Sequence, residues 1–289
     1  MSTTTIPEVC FKEILVASDL SDASTNAIGY AKAIAKHFGS HIVLAHVSEP
    51  GPPMAIPEGE WIQQDANQIE EQMQAAGVAL RAEGLAADAV NTYGPIRQEI
   101  EAIADEYQSD LIVLGTHGRR GLKRFLFGSE AEGVMRRTTR PVLTVGPAAA
   151  PAPQGAWAPK NILCATRLNL RSARVVAYAY RLAQNVGAAF ELLSVDDSNH
   201  PADRDLTWHA FEEALAEALP EELGKSQIRS LLSGKSPAEN IVDVAKALKS
   251  DLIVMGARTV QFATTHMATG VLGQVLADAP CPVLTIATE

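Results

Sequence analysis

The chain has 289 residues, with 24 Lys and Arg against 34 Asp and Glu, which gives a formal charge of −10. This length suggests two domains on a prior of roughly 100 to 200 residues each, and the acidic balance disfavours nucleic acid as a partner because it repels a phosphate backbone. Three cysteines without a CxxC pair argue against zinc or disulfide frameworks. The sequence shows no secretory signal and no apolar run of roughly 18 to 20 residues, so we expect a cytoplasmic protein with no membrane partner.

The predicted elements of the first half alternate between strands and helices, which is typical of a parallel sheet joined by crossover helices. Near-continuous Ile, Val and Leu in these strands is the pattern of a sheet covered on both faces. The fold class is therefore α/β. The predicted strands are EILVAS from Glu13, HIVLAHV from His41, a weaker one from Ala87 to Thr92, DLIVLG from Asp110 and PVLTVG from Pro141.

Two helices of the first half carry clear boundary signals. One is predicted to begin near Ser21 and Asp22, which are good N-cap residues, and to end at Gly39. Another follows Pro95, which suits a first helical turn. The loop EPGPPMAIPEGE between these helices fits an exposed connection or a lid.

The second half repeats the first. DLIVLGTHG from Asp110 and DLIVMGART from Asp251 both run without a gap into a closing Pro-Val-Leu strand. Residues 1–150 and 159–289 are therefore predicted to be two domains of the same fold. The Ala- and Pro-rich segment between them, residues 151–158, is predicted to be a semi-rigid linker.

The candidate site lies at the carboxyl ends of the first and fourth strands, where open parallel sheets bind their ligands. Ser18 and Asp19 end the first strand. Gly115 ends the fourth and opens the loop THGRRGLKRFLFGS, which leads into a helix near Ser129. Glycines before a helix N-terminus suit a phosphate. Arg119 and its basic neighbours also give this loop a positive charge, whereas the chain as a whole is acidic. Together these features favour an anionic ligand.

Simpler interpretations stay open for the individual residues. Glycines after a strand often only form a turn, and Ser18 and Asp19 could cap the following turn. His46 lies in an apolar strand and fits a core histidine better than a metal ligand. The sequence has no P-loop, no G-x-G-x-x-G after the first strand and no hydrolase motif.

The spacing G-x2-G-x9-G-[ST] at Gly115, Gly118, Gly128 and Ser129 resembles the nucleotide-binding signature of universal stress proteins. The opening ILVASDLSDAS and the segment GPIRQEI are also similar to that family. The resemblance covers both halves. It implies two tandem, doubly wound, five-stranded parallel sheets of strand order 3-2-1-4-5, similar to the adenine nucleotide alpha hydrolases, with ATP or AMP in the crevice.

The resemblance also assigns site residues. Contacts to adenosine are implied for Ala17, Ser18, Asp19 and Val47, and contacts to ribose and phosphates for Leu114, Gly115, Gly118, Gly128 and Ser129. The candidate set is completed by His117, Arg119, Glu130 and Ala131. Asp19 would accept from ribose hydroxyls or adenine, or act indirectly on a bound Mg²⁺.

Two departures from the family pattern matter. Glu130 follows Ser129 where nucleotide-binding members have a small apolar residue, and its charge favours AMP or a metal-complexed nucleotide over free triphosphate. In the second half, Arg167, Thr259 and Thr269 replace Asp19, Gly118 and Gly128. We therefore expect nucleotide in the first half only.

The leading hypothesis is a non-catalytic stress-response regulator that binds ATP or AMP and presents a surface to an unknown protein partner. The resemblance also implies that the two fifth strands pair within one chain and form an intramolecular pseudo-dimer. Whether two such chains form a further homodimer stays open. The alternatives are a nucleotide-free interaction scaffold and a slow metal-dependent ATPase, for which no residue pair that positions water is evident.

Overall fold

The structure is a computed structural model that describes residues 9–49, 60–116, 129–167, 170–195, 209–216, 228–231, 236–258 and 270–288. The first half contains five strands and four helices. In chain order they are β1 (Glu13–Ala17), α1 (Asp22–Phe38), β2 (His41–Ser48), α2 (Glu60–Ala82), β3 (Ala86–Tyr93), α3 (Ile96–Glu106), β4 (Leu111–Gly115), α4 (Ser129–Arg137) and β5 (Val142–Val145).

The second half repeats this order. Its elements are β6 (Asn161–Thr166), a single 3-10 turn (Leu170–Ser172), α5 (Ala173–Val186), β7 (Ala189–Val195), α6 (residues 209–216), β8 (Ile228–Leu231), α7 (Pro237–Ala247), β9 (Leu252–Arg258), α8 (Val271–Asp278) and β10 (Val283–Thr288). Among the residues that the structure describes, no helix combines the length and apolarity of a membrane span.

The ten strands within the described residues form one continuous sheet in the order β3-β2-β1-β4-β5-β10-β9-β6-β7-β8. Each half therefore has the order 3-2-1-4-5 that the resemblance implies. Strands within a half are parallel, whereas β5 and β10 pair antiparallel, with Leu284 opposite Leu143 and Thr285 opposite Val142. The fifth strands thus join the two halves directly.

The antiparallel junction between β5 and β10, here called the seam, also holds a side chain from α4. The hydroxyl of Thr144 donates to the sulfur of Met135 at 3.3 Å. The hydroxyl of Thr285 donates to the carbonyl of Val142 at 3.2 Å. Both threonines are buried, so their hydroxyls satisfy the requirement that buried polar groups find partners.

Helices cover both faces of the sheet. Apolar residues of α1, α2, α5 and α6 pack on one face, and those of α3, α4, α7 and α8 pack on the other. Residues Ile14 and Val16 face one core while Leu15 faces the other, which is the alternation of a strand buried on both sides. Each core continues across the seam.

The first helix follows its sequence signals at one end better than at the other. It ends at Gly39, whose φ of 70° is left-handed and whose N–H donates to the Ala35 carbonyl at 2.8 Å, as a glycine C-cap requires. Ser21 occupies the N-cap position, but its side chain makes no capping bond. Its hydroxyl is engaged elsewhere, in the candidate site.

The segment between the halves packs against α1. Asn26 donates through Nδ2 to the Ala150 carbonyl at 3.2 Å and accepts from the Ala152 N–H at 2.8 Å. Trp157 packs edge-on against Tyr30, with ring centroids 5.3 Å apart. The segment predicted to be a linker is thus docked on α1, through contacts with residues more than a hundred positions away in the sequence.

Candidate functional site

The predicted site residues on strands converge at one edge of the sheet. Ala17 ends β1 and pairs with Leu114 of β4 on one side and with Ala45 of β2 on the other. Val47 lies near the end of β2 and Gly115 ends β4. These positions share the carboxyl edge of the sheet, which is where ligands of open α/β folds bind.

Ser18 is fixed in place by its backbone and its side chain. Its N–H donates to the Ala45 carbonyl at 2.9 Å, and its own carbonyl accepts from Nδ1 of His46 at 2.8 Å. The hydroxyls of Ser18 and Ser24 lie 2.9 Å apart. His46 is buried in β2, as its apolar strand predicts, and it secures the end of β1 from the neighbouring strand.

The two carboxylate oxygens of Asp19 have different surroundings. Its Oδ1 accepts from the Ser21 N–H at 3.1 Å and from the Ser21 hydroxyl at 2.6 Å. Its Oδ2 is buried and has no hydrogen-bond partner among the residues that the structure describes. Because an unsatisfied buried carboxylate oxygen is costly, this atom is a strong candidate for a ligand contact.

Turn formation and ligand contact are both compatible at this strand end. The Ser18 hydroxyl accepts from the Leu20 N–H at 3.1 Å, and Leu20 has a positive φ of 59°. The serine and the aspartate thus do shape the turn, as the simpler interpretation expects. That task uses only one oxygen of the Asp19 carboxylate, so it leaves the second oxygen available.

The sequence predicted Ser21 only as a helix cap and did not include it among the candidate site residues. Its spacing, two positions after an aspartate at a strand end, is the spacing of an Asx turn, and that signal could have identified it. Here the turn orients the Asp19 carboxylate. Ser21 is therefore a positioning residue for the candidate contact.

The phosphate side of the candidate site begins at β4 and resumes at α4. After Gly115, the N–H of Thr116 donates to the Val145 carbonyl at 3.3 Å, which fixes the exit of the strand. The predicted residues His117, Gly118, Arg119 and Gly128 lie outside the described residues. Ser129 and Glu130 form the first two positions of α4, and Ala131 is half-buried in the same turn.

Two features of the described residues fit an adenine nucleotide. Within the described residues a buried oxygen of Asp19 lacks a partner, and α4 begins at Ser129 with free N–H groups, which an anion satisfies well. Within the described ranges, no three His, Cys, Asp or Glu side chains form a group that could hold a metal ion.

The corresponding edge of the second half differs from the first. Strand β9 continues past Gly256 and pairs with β10 at Ala257 and Arg258, whereas β4 ends at Gly115. A Cβ on Gly256 would lie 3.1 Å from Thr288 Cγ2 and 3.3 Å from Val175 Cγ2. Packing within the protein therefore leaves little room for a side chain at the glycine that the second half retains.

The position of Asp19 is also altered in the second half. Arg167 takes its place directly after β6 and is exposed. Thr259 and Thr269, which stand where the first half has Gly118 and Gly128, lie outside the described residues. A cation has thus replaced the acceptor at this strand end.

Comparison with known proteins gives one family for both halves. The sequence model of the universal stress protein family matches residues 11–146 and again 159–287. A universal stress protein of Methanocaldococcus jannaschii is 32% identical over 149 residues, which cover 48% of this chain and 84% of that protein. One of Thermus aquaticus is 32% identical over 141 residues, covering 47% and 98%.

A solved structure shows the same arrangement over the whole chain. The crystal structure of a universal stress protein from Archaeoglobus fulgidus DSM 4304 matches with a TM-score of 0.71 at 19% identity, covering 97% of this chain and 98% of that one. The fold of both halves is thus shared with that protein. Because the family model matches most of the sequence, twice in tandem, this chain belongs to the universal stress protein family.

Proposed function

We propose that this protein is a non-catalytic stress-response regulator that binds ATP or AMP in the crevice of its first half. The observation that carries the proposal is the buried Oδ2 of Asp19, which lacks a partner in the described part of the chain. A ribose hydroxyl or an adenine amino group is a donor that would satisfy it. Such a bond to a carboxylate contributes about 1.5 to 3 kcal/mol.

The beginning of α4 supports the phosphate half of the proposal. Ser129 starts a nine-residue helix, and the free N–H groups of a helix start favour an anion. Gly118, Arg119 and Gly128 complete the motif in sequence. Glu130 places a negative charge at the same helix start, so we propose AMP, or ATP complexed with Mg²⁺, as the ligand.

The second half supports the proposal by contrast. It has Arg167 in place of the acceptor, and its retained Gly256 packs against Thr288 and Val175. We propose that residues 159–289 form a domain that binds no nucleotide in the family manner. Its role would be to supply β10 to the seam, which covers the edge of β5 that would otherwise invite aggregation.

We propose residues 1–150 as the nucleotide-binding domain and the cytoplasm as the compartment, since Cys10, Cys164 and Cys281 are free thiols. Strands β3 and β8 are the two edge strands of the sheet. Because the fifth strands already pair within one chain, a further homodimer would use a different surface.

Equilibrium dialysis of ATP and AMP tests the proposal, with two valine substitutions at matched positions of the repeat. The wild-type chain is expected to bind one nucleotide. Gly118→Val is expected to lose binding, because a side chain there blocks close approach of the backbone to the phosphates. Thr259→Val, at the corresponding position of the second half, is expected to bind like wild type.

Equal binding by all three proteins would contradict the assignment to the first half, and absence of binding by the wild type would support the scaffold alternative. Mass spectrometry of small molecules released from freshly purified protein checks the same point without added ligand. Metal-dependent phosphate release that disappears in Asp19→Ala would favour the ATPase alternative.

A further inference from the structure

The side chain of Arg97, in the first turn of α3, lies across α4. A Cβ placed on Gly133 would meet its Nε and Cδ and would lie 2.7 Å from its Cζ. The guanidinium group therefore occupies the space that a side chain at position 133 would fill. Glycine at this position allows the arginine to lie directly against the helix.

The direction of that space brings Arg97 toward the candidate site. In a helix the Cα–Cβ bond tilts toward the N-terminus, so a side chain covers the turn that precedes its own Cα. For Gly133 that turn contains positions 129 and 130, where α4 begins. Arg97 thus packs against α4 about one turn from the helix start near which the phosphates are proposed to bind.

The next turn of the same two helices shows that this contact is part of a regular register. Arg137 and Glu101, four residues beyond Gly133 and Arg97, form an ion pair at 3.8 Å. Helices α3 and α4 therefore run side by side with matching turns. The first pair in this register places a cation against Gly133, about one turn from the beginning of α4, and the second pair lies one turn further along both helices.

The carboxylate in the first turn of α3 is directed elsewhere. Glu99 accepts from the Thr92 hydroxyl at 3.3 Å and lies against Gly94, where a Cβ would be 2.5 Å from its Oε1. On the α4 side, Glu132 is buried within the first turn of that helix, and Glu130 adds a second acidic position. The region needs a cation if it is to accept phosphate.

We propose that Arg97 is a phosphate-contacting residue of the nucleotide site, supplied by α3 rather than by the glycine loop. This inference rests on the proposed nucleotide function. Arginine suits the role because its planar guanidinium donates two parallel hydrogen bonds to phosphate oxygens. The positive charge of Arg97 also explains how a helix start with acidic residues can bind an anion.

Competition binding with adenosine, AMP and ATP separates this role from a purely structural one. Arg97→Gln is expected to weaken AMP and ATP by about tenfold or more, while adenosine binds within about twofold of wild type. Arg97→Lys should lie between the two. Arg137→Gln, the matched control one turn away, should bind all three ligands like wild type.

Unchanged AMP and ATP affinity in Arg97→Gln would overturn the contact while leaving the proposed function in place. Equal weakening of adenosine and the nucleotides would also overturn it, since Arg97 would then only pack the helices, and adenosine affinity serves as the check on folding. A wild-type protein that binds none of the three ligands would overturn both the contact and the proposed function.

Discussion

The hydroxyl of Ser21 donates to Oδ1 of Asp19 at 2.6 Å, and the N–H of Ser21 donates to the same oxygen at 3.1 Å. Two donors on one oxygen fix the rotation of the carboxylate. The other oxygen, Oδ2, is buried without a partner in the part of the chain that the structure describes. Orientation by Ser21 thus decides which way the candidate ligand contact points.

Replacing Ser21 tests this orientation. Ser21→Ala is expected to weaken nucleotide binding about threefold to tenfold, because it removes a hydrogen bond with a net contribution of about 1 kcal/mol. Asp19→Ala should weaken binding about tenfold to hundredfold. Since Ser21 acts through Asp19, the double variant should bind no more weakly than Asp19→Ala alone. Isothermal titration calorimetry of the four proteins measures this, and additive losses would contradict it.

Gly115 and Gly256 occupy the same position of the repeat and are expected to differ when a methyl group is added. Gly115→Ala should weaken nucleotide binding if, as proposed, the backbone approaches the ligand there. Gly256→Ala should leave binding unchanged and lower the free energy of unfolding by about 1 kcal/mol or more, because its Cβ would crowd Thr288 and Val175. Equal effects of both substitutions on binding would show that the two edges are not specialised.

The docked linker offers a test by exchange of one methyl group. A Cβ on Gly29 would lie 2.6 Å from the Cβ of Ala152. Gly29→Ala is therefore expected to lower the free energy of unfolding by about 1 to 3 kcal/mol through overpacking, although alanine is the better helix former by about 1 kcal/mol.

A compensating change at Ala152 should cancel that loss of stability. Combining Gly29→Ala with Ala152→Gly removes the crowding, so urea unfolding of the double variant should show a stability near that of the wild type. Ala152→Gly alone is the control for the lost methyl group. A double variant as unstable as Gly29→Ala would mean that the linker does not dock on α1 in this way.

Tyr30 makes stability depend on pH in the alkaline range. Burial, together with Cys281 and Asp251, raises the pKa of Tyr30 from 10.0 to about 12. Between pH 10.0 and about 12 the folded state keeps the phenol protonated while the unfolded state ionises. The contribution of Tyr30 to the free energy of unfolding is therefore complete below pH 10.0 and is lost as the pH rises toward about 12. The expected loss is about 2 to 3 kcal/mol.

Tyr30→Phe isolates this contribution. The variant should lose about 1 kcal/mol near neutral pH, since the Tyr30 hydroxyl donates to the Ala150 carbonyl at 3.2 Å. Between pH 10.0 and about 12 its stability should fall less steeply than that of the wild type. Burial also raises the pKa of Cys281 to about 12, so part of the alkaline slope should remain. Urea unfolding at several pH values measures both slopes, and identical slopes would contradict the assignment.

Much of the fold could be predicted from the sequence because its signals are local. Apolar runs marked the strands of the first half, and Gly39 marked the end of α1. The repeat then carried the same elements into the second half. The order of the strands and the seam came from the family resemblance, since no local pattern encodes which strand edges meet.

The parts of the site that the sequence did not predict depend on contacts between distant segments. Ser21 was expected to cap α1, whereas its hydroxyl bonds to Asp19. Arg97 and Gly133 were not singled out, because their contact follows from the register of two helices that are separated by a strand and a loop. Asn26 gave no sign that it binds the linker, since that contact spans 126 residues.

The antiparallel seam decides which surfaces of the two halves are neighbours. The carboxyl ends of the strands point one way in the first half and the opposite way in the second, so the N–H of Ala150, just after β5, meets the carbonyl of Pro280, just before β10. A partner that approaches the proposed nucleotide crevice would therefore meet the strand beginnings of the second half. The degenerate crevice would face away from that partner.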